Sequence, residues 1–342
     1  MKCSNNRIIV SRTDRAGDLI LTLPVIEALR FFRPDFQIVA HVRKYTAPLL
    51  YGFEREIEIL IDEEPNNTLK SLKVLSKNFY EVHADAAIIV HPSFQAVFSL
   101  FLAGIPLRIG RASNIWQCFL NKPLYQGRSL NEKHEFEYNL DLLKGLGINP
   151  PKILPKLKLR KQALEKARNS LSLSGKKNFP SQKYIVIHPG HGGSAYNISP
   201  EDYKKTIKNL LDLNHNVVMT IGPGEEKIAD HFSDLVKRDN MLILSNIIDL
   251  EALAGIISQA LAFVSGSTGP LHMAAALNIP TFAFFPPVPA MTPKRWGPVG
   301  NLNHVWIPSV EICSGKCSSC KHFPCMTNPP FDLIGNWLKT VF

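Results

Sequence analysis

The sequence contains no apolar run that approaches the ~20 residues of a membrane-spanning helix. Its first ten residues, MKCSNNRIIV, lack the apolar core of a signal peptide and lead directly into a candidate strand. These absences predict a cytoplasmic protein. The six cysteines do not suggest a secreted disulfide framework, because two are isolated and four are grouped near the C-terminus. The 342 residues, 45% hydrophobic and 20% charged, are instead typical of a soluble globular protein with two cores.

Acidic residues are scarce relative to basic ones, with 29 Asp and Glu against 39 Lys and Arg, so the formal net charge is +10. This excess favours polyanionic partners, which include nucleotides, phosphorylated glycolipids, an anionic membrane surface and nucleic acid. Two motifs are also missing. No G-x-G-x-x-G follows the first strand, which disfavours a nicotinamide-dependent oxidoreductase. No strand interleaves aromatic and basic residues, which disfavours a nucleic-acid-binding protein.

Candidate strands and helices alternate along the chain in two series. The strands are predicted at 7–11, 37–42, 57–61, 86–90, 108–110, 184–188, 216–221, 241–244, 262–264 and 281–285. The helices are predicted at 19–32, 69–79, 94–102, 134–146, 162–173, 200–213, 224–237, 250–259 and 333–341. We therefore predict an α/β protein with two doubly wound Rossmann-like domains, residues 1–170 and 171–325, that face a central cleft. Residues 326–342 then hold a C-terminal helix.

The stretch AFVSGSTGPLHMAAALNIP, residues 262–280, has the pattern of an anion-binding loop. A buried strand leads into a tight loop, and a helix follows with Pro270 in its first turn and Ser267 or Thr268 as its cap. Backbone N–H groups at such a helix start can hold a phosphate or diphosphate, and His272 lies one turn further on. An ordinary strand-turn-helix of an α/β sheet is the alternative interpretation.

A second loop, residues 13–18, joins the first strand to the first helix and carries two carboxylates. Asp18 could accept a proton from a substrate hydroxyl as a general base, or it could simply cap the helix. Asp14 is the other carboxylate, and the sequence alone does not choose between the two. Gly17 would let a ligand approach the backbone closely.

Five ordered segments strongly resemble glycosyltransferase family 9, the ADP-heptose:lipopolysaccharide heptosyltransferases. They are RTDRAGDLILTLPVIEALR, HPSFQAVFSLFLAGIPLRIG, HEFEYNLDLLKGLGI, HPGHGGSAYNISPEDY and SGSTGPLHMAAAL, and the resemblance covers residues 7–326. It implies a GT-B architecture, with an N-terminal acceptor domain, a C-terminal nucleotide-sugar domain and a last helix that crosses back to the first domain. It also implies inverting transfer of heptose from ADP-heptose to a lipopolysaccharide core at the cytoplasmic face of the inner membrane, with no cofactor and no catalytic metal.

The resemblance assigns roles to residues of both halves. Asp18 corresponds to the family's base. The donor side is predicted to comprise Ser194, Tyr196, Glu225, Glu226, Ser267, Thr268, Gly269, Pro270, Leu271 and His272. The acceptor side is predicted to comprise Gly17, His91, Ser93, Arg108 and Arg111, whose arginines suit phosphate or acidic Kdo sugars. Glu225 or Glu226 would accept the ribose hydroxyls, although a plain helix N-terminal charge explains them equally well.

The sequence also departs from the family's pattern. Tyr196 stands where relatives often have a basic residue, and Ser267 stands where many have an aspartate. The first departure keeps open a different nucleotide-sugar donor. Four cysteines, Cys313, Cys317, Cys320 and Cys325, have a spacing compatible with a structural zinc or iron–sulfur site, although family relatives carry a similar block without a catalytic metal. A basic nucleic-acid-binding protein with a C-terminal zinc module is the remaining alternative.

Overall fold

The computed structural model describes residues 6–63, 68–172, 176, 179, 182–193, 196–245, 249–300, 302–310, 313, 320 and 325–342. The chain divides into two units, Met1–Lys158 and Leu159–Phe342. In the described part of the chain, no helix combines the length and the apolar character that a bilayer span requires.

The first unit is a parallel sheet with helices on it. Its strands are β1 (Arg7–Arg12), β2 (Gln37–Arg43), β3 (Glu58–Asp62), β4 (Ala86–Ile89), β5 (Leu107–Arg111) and β6 (Lys122–Leu124). Its helices are α1 (Ala16–Ile20), α2 (Leu23–Phe32), α3 (Leu69–Val82), α4 (Phe94–Leu102) and α5 (Glu135–Leu140). The strand order is β3-β2-β1-β4-β5-β6, so the chain reverses direction across the sheet between β1 and β4. Ligands of such sheets bind outside the carboxyl ends of the strands at this switch point.

The second unit repeats the same plan. Its strands are β7 (Ile185–His188), β8 (Val217–Thr220), β9 (Met241–Leu244), β10 (Ala262–Gly266), β11 (Thr281–Phe284) and β12 (Asn303–Trp306). Its helices are α6 (Lys161–Ser172), α7 (Pro200–Asp212), α8 (Leu250–Ser258), α9 (Gly269–Ala276), α10 (Pro293–Trp296) and α11 (Leu333–Val341). The order β12-β11-β10-β7-β8-β9 places its switch point between β7 and β10. Every strand pair in both sheets is parallel, as the alternation of strands and helices predicts.

The central strands are buried along nearly their whole length and mostly apolar, as is typical of parallel sheets with helices on both faces. Ile8, Ile9 and Val10 of β1 are at most 2% exposed. Their counterparts in the second unit, Ile185 and Ile187, are fully buried as well. Burial of such side chains contributes about 1.5–3 kcal/mol each, which makes the two cores the main source of stability.

Several predicted elements differ in detail. The helix predicted at 19–32 is two helices, α1 and α2, because Pro24 lies in the first turn of α2 and has no N–H to continue a preceding helix. The helix predicted at 224–237 is a pair of 3-10 helices, Glu226–Phe232 and Leu235–Lys237. The edge strands β6 and β12 were not predicted, since each is short and polar or proline-containing.

The division at Lys158 lies earlier than residue 170, the predicted boundary, because α6 packs against α8 in the second unit. Arg160 and Lys166 form ion pairs with the buried Glu251 at the start of α8. A Cβ atom on Gly255 would lie 2.1 Å from the carbonyl oxygen of Ala163, so only glycine allows this close approach of the two helices. The last helix, α11, buries Trp337 in the core of the second unit. A crossing of the C-terminal segment to the first unit stays a prediction.

Candidate active site

The loop after β1 holds a network of charges around one buried arginine. Arg12, the last residue of β1, has a side chain only 4% exposed. Its Nε donates to Asp14 Oδ1 at 2.6 Å, and its Nη2 donates to Asp18 Oδ1 at 2.6 Å. One guanidinium therefore bridges both carboxylates of the loop, a geometry that suits the planar, forked donors of arginine.

Asp18 lies in the first turn of α1, but it does not cap that helix with its side chain. The N-cap position is occupied by Arg15, which makes no capping side-chain hydrogen bond. Thus the carboxylate of Asp18 is directed to Arg12 instead of to the helix's own N–H groups. The simple capping interpretation of Asp18 is therefore not what the structure shows.

Burial raises the pKa of Asp18 from its usual 3.8 to about 6. The neighbouring Arg12 lowers this pKa, whereas the carboxylates of Asp14 and Glu135 raise it. A carboxylate with this pKa is mostly ionised at neutral pH and still basic enough to accept a proton. Both properties are those of a general base, whose best pKa lies near the working pH.

Helix α5, from the HEFEYNL segment, contacts the junction of α1 and α2 that follows this loop. Asn139 is fully buried, and its side-chain amide donates to the carbonyl oxygen of Leu21 at 2.9 Å, at the turn that joins α1 to α2. Glu135 is 2% exposed and forms an ion pair with Arg128. The quoted segment therefore contributes positioning contacts rather than exposed ligand contacts.

The carboxyl edge of the first sheet is rich in cations. Arg12, Arg43 and Arg111 are the last residues of β1, β2 and β5. His91 follows β4, and its Nδ1 lies 3.5 Å from Asp14 Oδ2. Burial lowers the pKa of His91 first, and the three arginines lower it further against the opposing effect of Asp14, so the imidazole is neutral at pH 7.

The other predicted acceptor residues occupy different positions. Ser93 caps α4, because its Oγ accepts a hydrogen bond from the N–H of Ala96 at 3.2 Å. Arg108 does not lie at the carboxyl edge, since its Nε donates to the carbonyl oxygen of Phe119 at 2.7 Å. Gly17 is buried within α1. The structure thus brings His91 and Arg111 to the edge where Asp18 lies, but not Arg108.

In the second unit, the 262–280 stretch forms the predicted strand, loop and helix. β10 extends to Gly266, and α9 begins at Gly269 with Thr268 as its N-cap. Thr268 Oγ1 accepts from the N–H of Leu271 at 3.4 Å, and Pro270 lies in the first turn. The predicted cap is therefore confirmed for Thr268. Pro270 has no N–H and Leu271 donates to Thr268, so Gly269 supplies the first-turn N–H that has no acceptor within the helix, and this N–H with the positive end of the helix can attract an anion.

Asn197 contacts three segments at the carboxyl edge of the second sheet. Its Nδ2 donates to the carbonyl oxygen of Pro189 at 3.0 Å, and its Oδ1 accepts from Tyr203 Oη at 3.1 Å. A Cβ atom on Gly266 would lie 2.6 Å from Asn197 Oδ1, so this glycine lets the amide lie against the end of β10. The loop after β7 is thereby held beside the start of α9, at the switch point of the second sheet.

The two predicted ribose-binding glutamates bind backbone of their own unit. Glu225 Oε1 accepts from the N–H groups of His191 and Gly192 at 2.8 and 2.7 Å. Glu226 Oε1 accepts from the N–H of Gly224 at 3.0 Å. Glu225 therefore holds the glycine-rich loop after β7 in place. That loop accepts a carboxylate on two adjacent N–H groups, a geometry that suits oxyanions generally.

The other residues predicted to bind the donor differ in how exposed they are. Leu271 and His272 are buried, whereas Tyr196 is 44% exposed beside Asn197. Ser194 lies outside the described residues. Sequence reasoning did not select Arg12, Arg43 or Asn197, although the two arginines directly follow predicted strands, which is where ligands of parallel sheets bind.

The cysteine prediction is only partly covered. Cys313, Cys320 and Cys325 are half-buried, and Cys317 lies outside the described residues. Within the described ranges, no group of three His, Cys, Asp or Glu side chains has an arrangement that could hold a metal ion. The structural metal site therefore stays a prediction.

Comparisons with known proteins show which family the sequence matches. The family model described as glycosyltransferase family 9 (heptosyltransferase) matches residues 73–326. A protein of Haemophilus influenzae, named only provisionally as a glycosyltransferase, is 33% identical over 307 residues, 87% of each chain. Lipopolysaccharide heptosyltransferase 3 of Escherichia coli K12 is 24% identical over 287 residues, 79% of each chain.

A solved structure shows the same fold. The chain is similar to the ADP-heptose lipopolysaccharide heptosyltransferase II of Escherichia coli, with a TM-score of 0.78 and 20% sequence identity over 98% of this chain and 99% of that one. Similarity at this identity speaks to the fold alone. It confirms the predicted GT-B class, with two doubly wound α/β units.

Proposed function

Since the chain belongs to glycosyltransferase family 9, we propose that it transfers a heptose from ADP-heptose to a lipopolysaccharide-core acceptor, with inversion at the anomeric carbon. The observation that carries the proposal is the nearly buried Asp18, held by Arg12 at the switch point of the first sheet with a pKa of about 6. The sequence relative named lipopolysaccharide heptosyltransferase 3 supports the sugar and the acceptor class.

Asp18 is the proposed base. Its carboxylate takes the proton of an acceptor hydroxyl, and that oxygen bonds to the anomeric carbon from the face opposite the diphosphate. The bond between the anomeric carbon and the phosphate oxygen breaks, and its electron pair leaves with ADP. Proton removal by a positioned carboxylate typically contributes 10²–10⁴-fold to the rate, so loss of Asp18 is expected to abolish measurable transfer.

The departing diphosphate acquires negative charge as the bond breaks. We assign its stabilisation to the backbone N–H of Gly269, the first residue of α9, and to the positive end of that helix. The N–H groups of His191 and Gly192 in the loop after β7 donate to Glu225 at 2.8 and 2.7 Å, so they take no part in this assignment. In line with the family resemblance, the proposal includes no cofactor and no catalytic metal.

The acceptor is proposed to be anionic. Arg43 and Arg111 end β2 and β5 at one sheet edge, and their charge suits the phosphates or acidic Kdo sugars of an inner core. Arg12 is not counted, because it is 4% exposed and paired with Asp14 and Asp18. Such an acceptor is lipid-linked, so we place the protein at the cytoplasmic face of the inner membrane, in peripheral contact with anionic lipids.

A different nucleotide-sugar donor is the second candidate. Tyr196, 44% exposed, stands where relatives often carry a cation, and this substitution would change the contacts of the sugar or diphosphate. Thermal shift with ADP, UDP and GDP separates the donors, because a ligand that binds only the folded state stabilises it by mass action. Stabilisation by UDP alone would replace ADP-heptose in the proposal.

The direct test is product analysis by mass spectrometry with ADP-heptose and truncated core acceptors. The expected product is the acceptor with one added heptose, and Asp18→Asn is expected to give none while it binds ADP as the wild type does. Asp35→Asn, an exposed carboxylate of the same unit, is the matched control and should leave transfer unchanged. Equal turnover by Asp18→Asn would remove this residue from the role of base.

A further inference from the structure

One surface of the first unit is aromatic and partly exposed. Phe94, Phe98 and Phe101 follow one another along α4, and Trp116 and Phe119 lie on the short 3-10 helix Ile115–Phe119 beside it. The rings of Phe94 and Phe98 are stacked with centroids 5.2 Å apart, and Phe98 meets Phe119 at 5.0 Å. We call these five residues, together with Leu102 and Ile115, the aromatic ridge.

The outer side chains of the ridge are not covered by the described part of the protein. Phe101 is 45% exposed, Leu102 is 53% exposed and Ile115 is 74% exposed. Single exposed apolar residues are common, whereas a contiguous apolar surface of this kind usually marks a binding face. The stacked rings beneath would keep the exposed residues in place when they contact a partner.

Most of the charge around the ridge is positive. From residue 86 to residue 131 the sequence has no Asp and no Glu, while it has Arg108, Arg111, Lys122 and Arg128. The neighbouring helix α3 adds the exposed Lys70, Lys73 and Lys77, of which Lys77 lies 3.7 Å from Glu81 of the same helix. The two helices are in contact, since Ser99 Oγ of α4 donates to the carbonyl oxygen of Leu72 at 3.5 Å. An apolar face with lysines at its side fits a partner that is both apolar and anionic.

The ridge begins near the carboxyl edge of the first sheet. α4 starts three residues after His91, whose Nδ1 lies 3.5 Å from Asp14 Oδ2. The side-chain amide of Asn114 donates to the carbonyl oxygen of Pro92 at 3.1 Å and holds the 3-10 helix near the end of β4. An acceptor sugar near Asp18 would therefore have its lipid end within reach of the ridge.

We propose that the aromatic ridge and the lysines of α3 form the surface by which this protein rests on an anionic phospholipid membrane. Phenylalanine, tryptophan, leucine and isoleucine enter the boundary between headgroups and acyl chains, and the lysines are attracted to the negative headgroups. The inference rests on the proposed function only in taking the acceptor to be lipid-linked.

The test measures sedimentation of the full chain with vesicles of phosphatidylglycerol and phosphatidylethanolamine, and with vesicles of phosphatidylcholine. We expect binding to the anionic vesicles that weakens as salt increases, and little binding to phosphatidylcholine. The double variant Leu102→Ser, Ile115→Ser should bind about tenfold more weakly. Lys70→Gln, Lys73→Gln and Lys77→Gln together should weaken binding by about fivefold for each lysine removed.

A matched double variant of the second unit, Leu164→Ser with Val236→Ser, replaces apolar residues that are 40% and 38% exposed and should bind as the wild type does. Circular dichroism and thermal unfolding check that every variant is folded. Anionic vesicle binding by the ridge variant equal to that of the wild type would overturn the proposal. So would a wild-type dimer that the ridge variant disrupts without any change in vesicle binding, because the ridge would then join two copies of the chain.

A second measurement separates this inference from the proposed function. Transfer to a lipid-free core oligosaccharide should be the same for the ridge variant and the wild type, whereas transfer to acceptor embedded in vesicles should fall about tenfold. If the wild type binds vesicles through the ridge but transfers no heptose, only the proposed reaction fails. If transfer proceeds equally well from vesicles with the ridge variant, the membrane surface lies elsewhere.

Discussion

Neutralising Asp18 is expected to make the protein inactive and, at neutral pH, more stable. The residue is nearly buried beside Asp14 and Glu135, and burial is the largest cause of its raised pKa. A carboxylate whose ionisation is unfavourable in the folded state lowers the free energy of unfolding when it is ionised. Asp18→Asn removes this charge and should therefore raise the free energy of unfolding, while it also removes the base.

The size of the effect follows from the pKa. A rise from 3.8 to about 6 corresponds to about 3 kcal/mol, since each pKa unit is worth about 1.36 kcal/mol. Because the folded pKa is the higher one, the folded state binds the proton more tightly between these two values. The wild type therefore loses stability as pH rises from about 4 to about 6, and the loss is complete above pH 6. The isosteric amide does not ionise and therefore does not follow this decline.

Denaturant unfolding at a series of pH values tests the argument. The free energy of unfolding of Asp18→Asn relative to the wild type should be near zero at pH 4 and should rise to as much as about 3 kcal/mol at pH 8. Asp35→Asn is the control with opposite sign, because the hydrogen bond from Arg33 lowers the pKa of Asp35. The assignment of a raised pKa to Asp18 would be refuted if Asp18→Asn were less stable than the wild type at pH 8, or if the difference between the two proteins did not change with pH.

Three further predictions concern neighbouring contacts. Arg12→Gln removes the cation that lowers the pKa of Asp18, so the acid limb of the plot of kcat/KM against pH should move upward from about 6. Arg12→Lys should restore the limb part of the way toward its wild-type position. An unchanged limb would show that Arg12 does not lower the pKa of the base. Gly255→Ala places a Cβ atom 2.1 Å from the carbonyl oxygen of Ala163 and should cost about 1–3 kcal/mol of stability in denaturant unfolding, with ADP affinity unaffected. Thr268→Ala should lower the free energy of unfolding by about 1 kcal/mol through the lost cap and should weaken ADP binding in calorimetry. Thr268→Ser should preserve the stability and the ADP affinity. ADP affinity equal to that of the wild type in the alanine variant would place the diphosphate elsewhere.

Much of the fold was predictable because its signals are local. Apolar runs such as those of β1 and β10 identify buried parallel strands, and their alternation with amphipathic helices implies two doubly wound units. The start of α9 was also predictable, since Thr268 and Pro270 are typical of a helix N-terminus whatever lies around it. The missed edge strands β6 and β12 depend on pairing with neighbours rather than on their own composition.

The candidate site was less predictable because its interactions join distant parts of the chain. The sequence by itself determined the strand-end loops, the carboxylates within them and the excess of positive charge. Only the tertiary structure decided that Arg12 bridges Asp14 and Asp18, that Arg108 binds a carbonyl away from the site, and that Glu225 holds the loop after β7. The physical reason is that backbone conformation follows from local propensity and periodicity, whereas the partner and pKa of a charged side chain depend on burial and on neighbours that folding brings together.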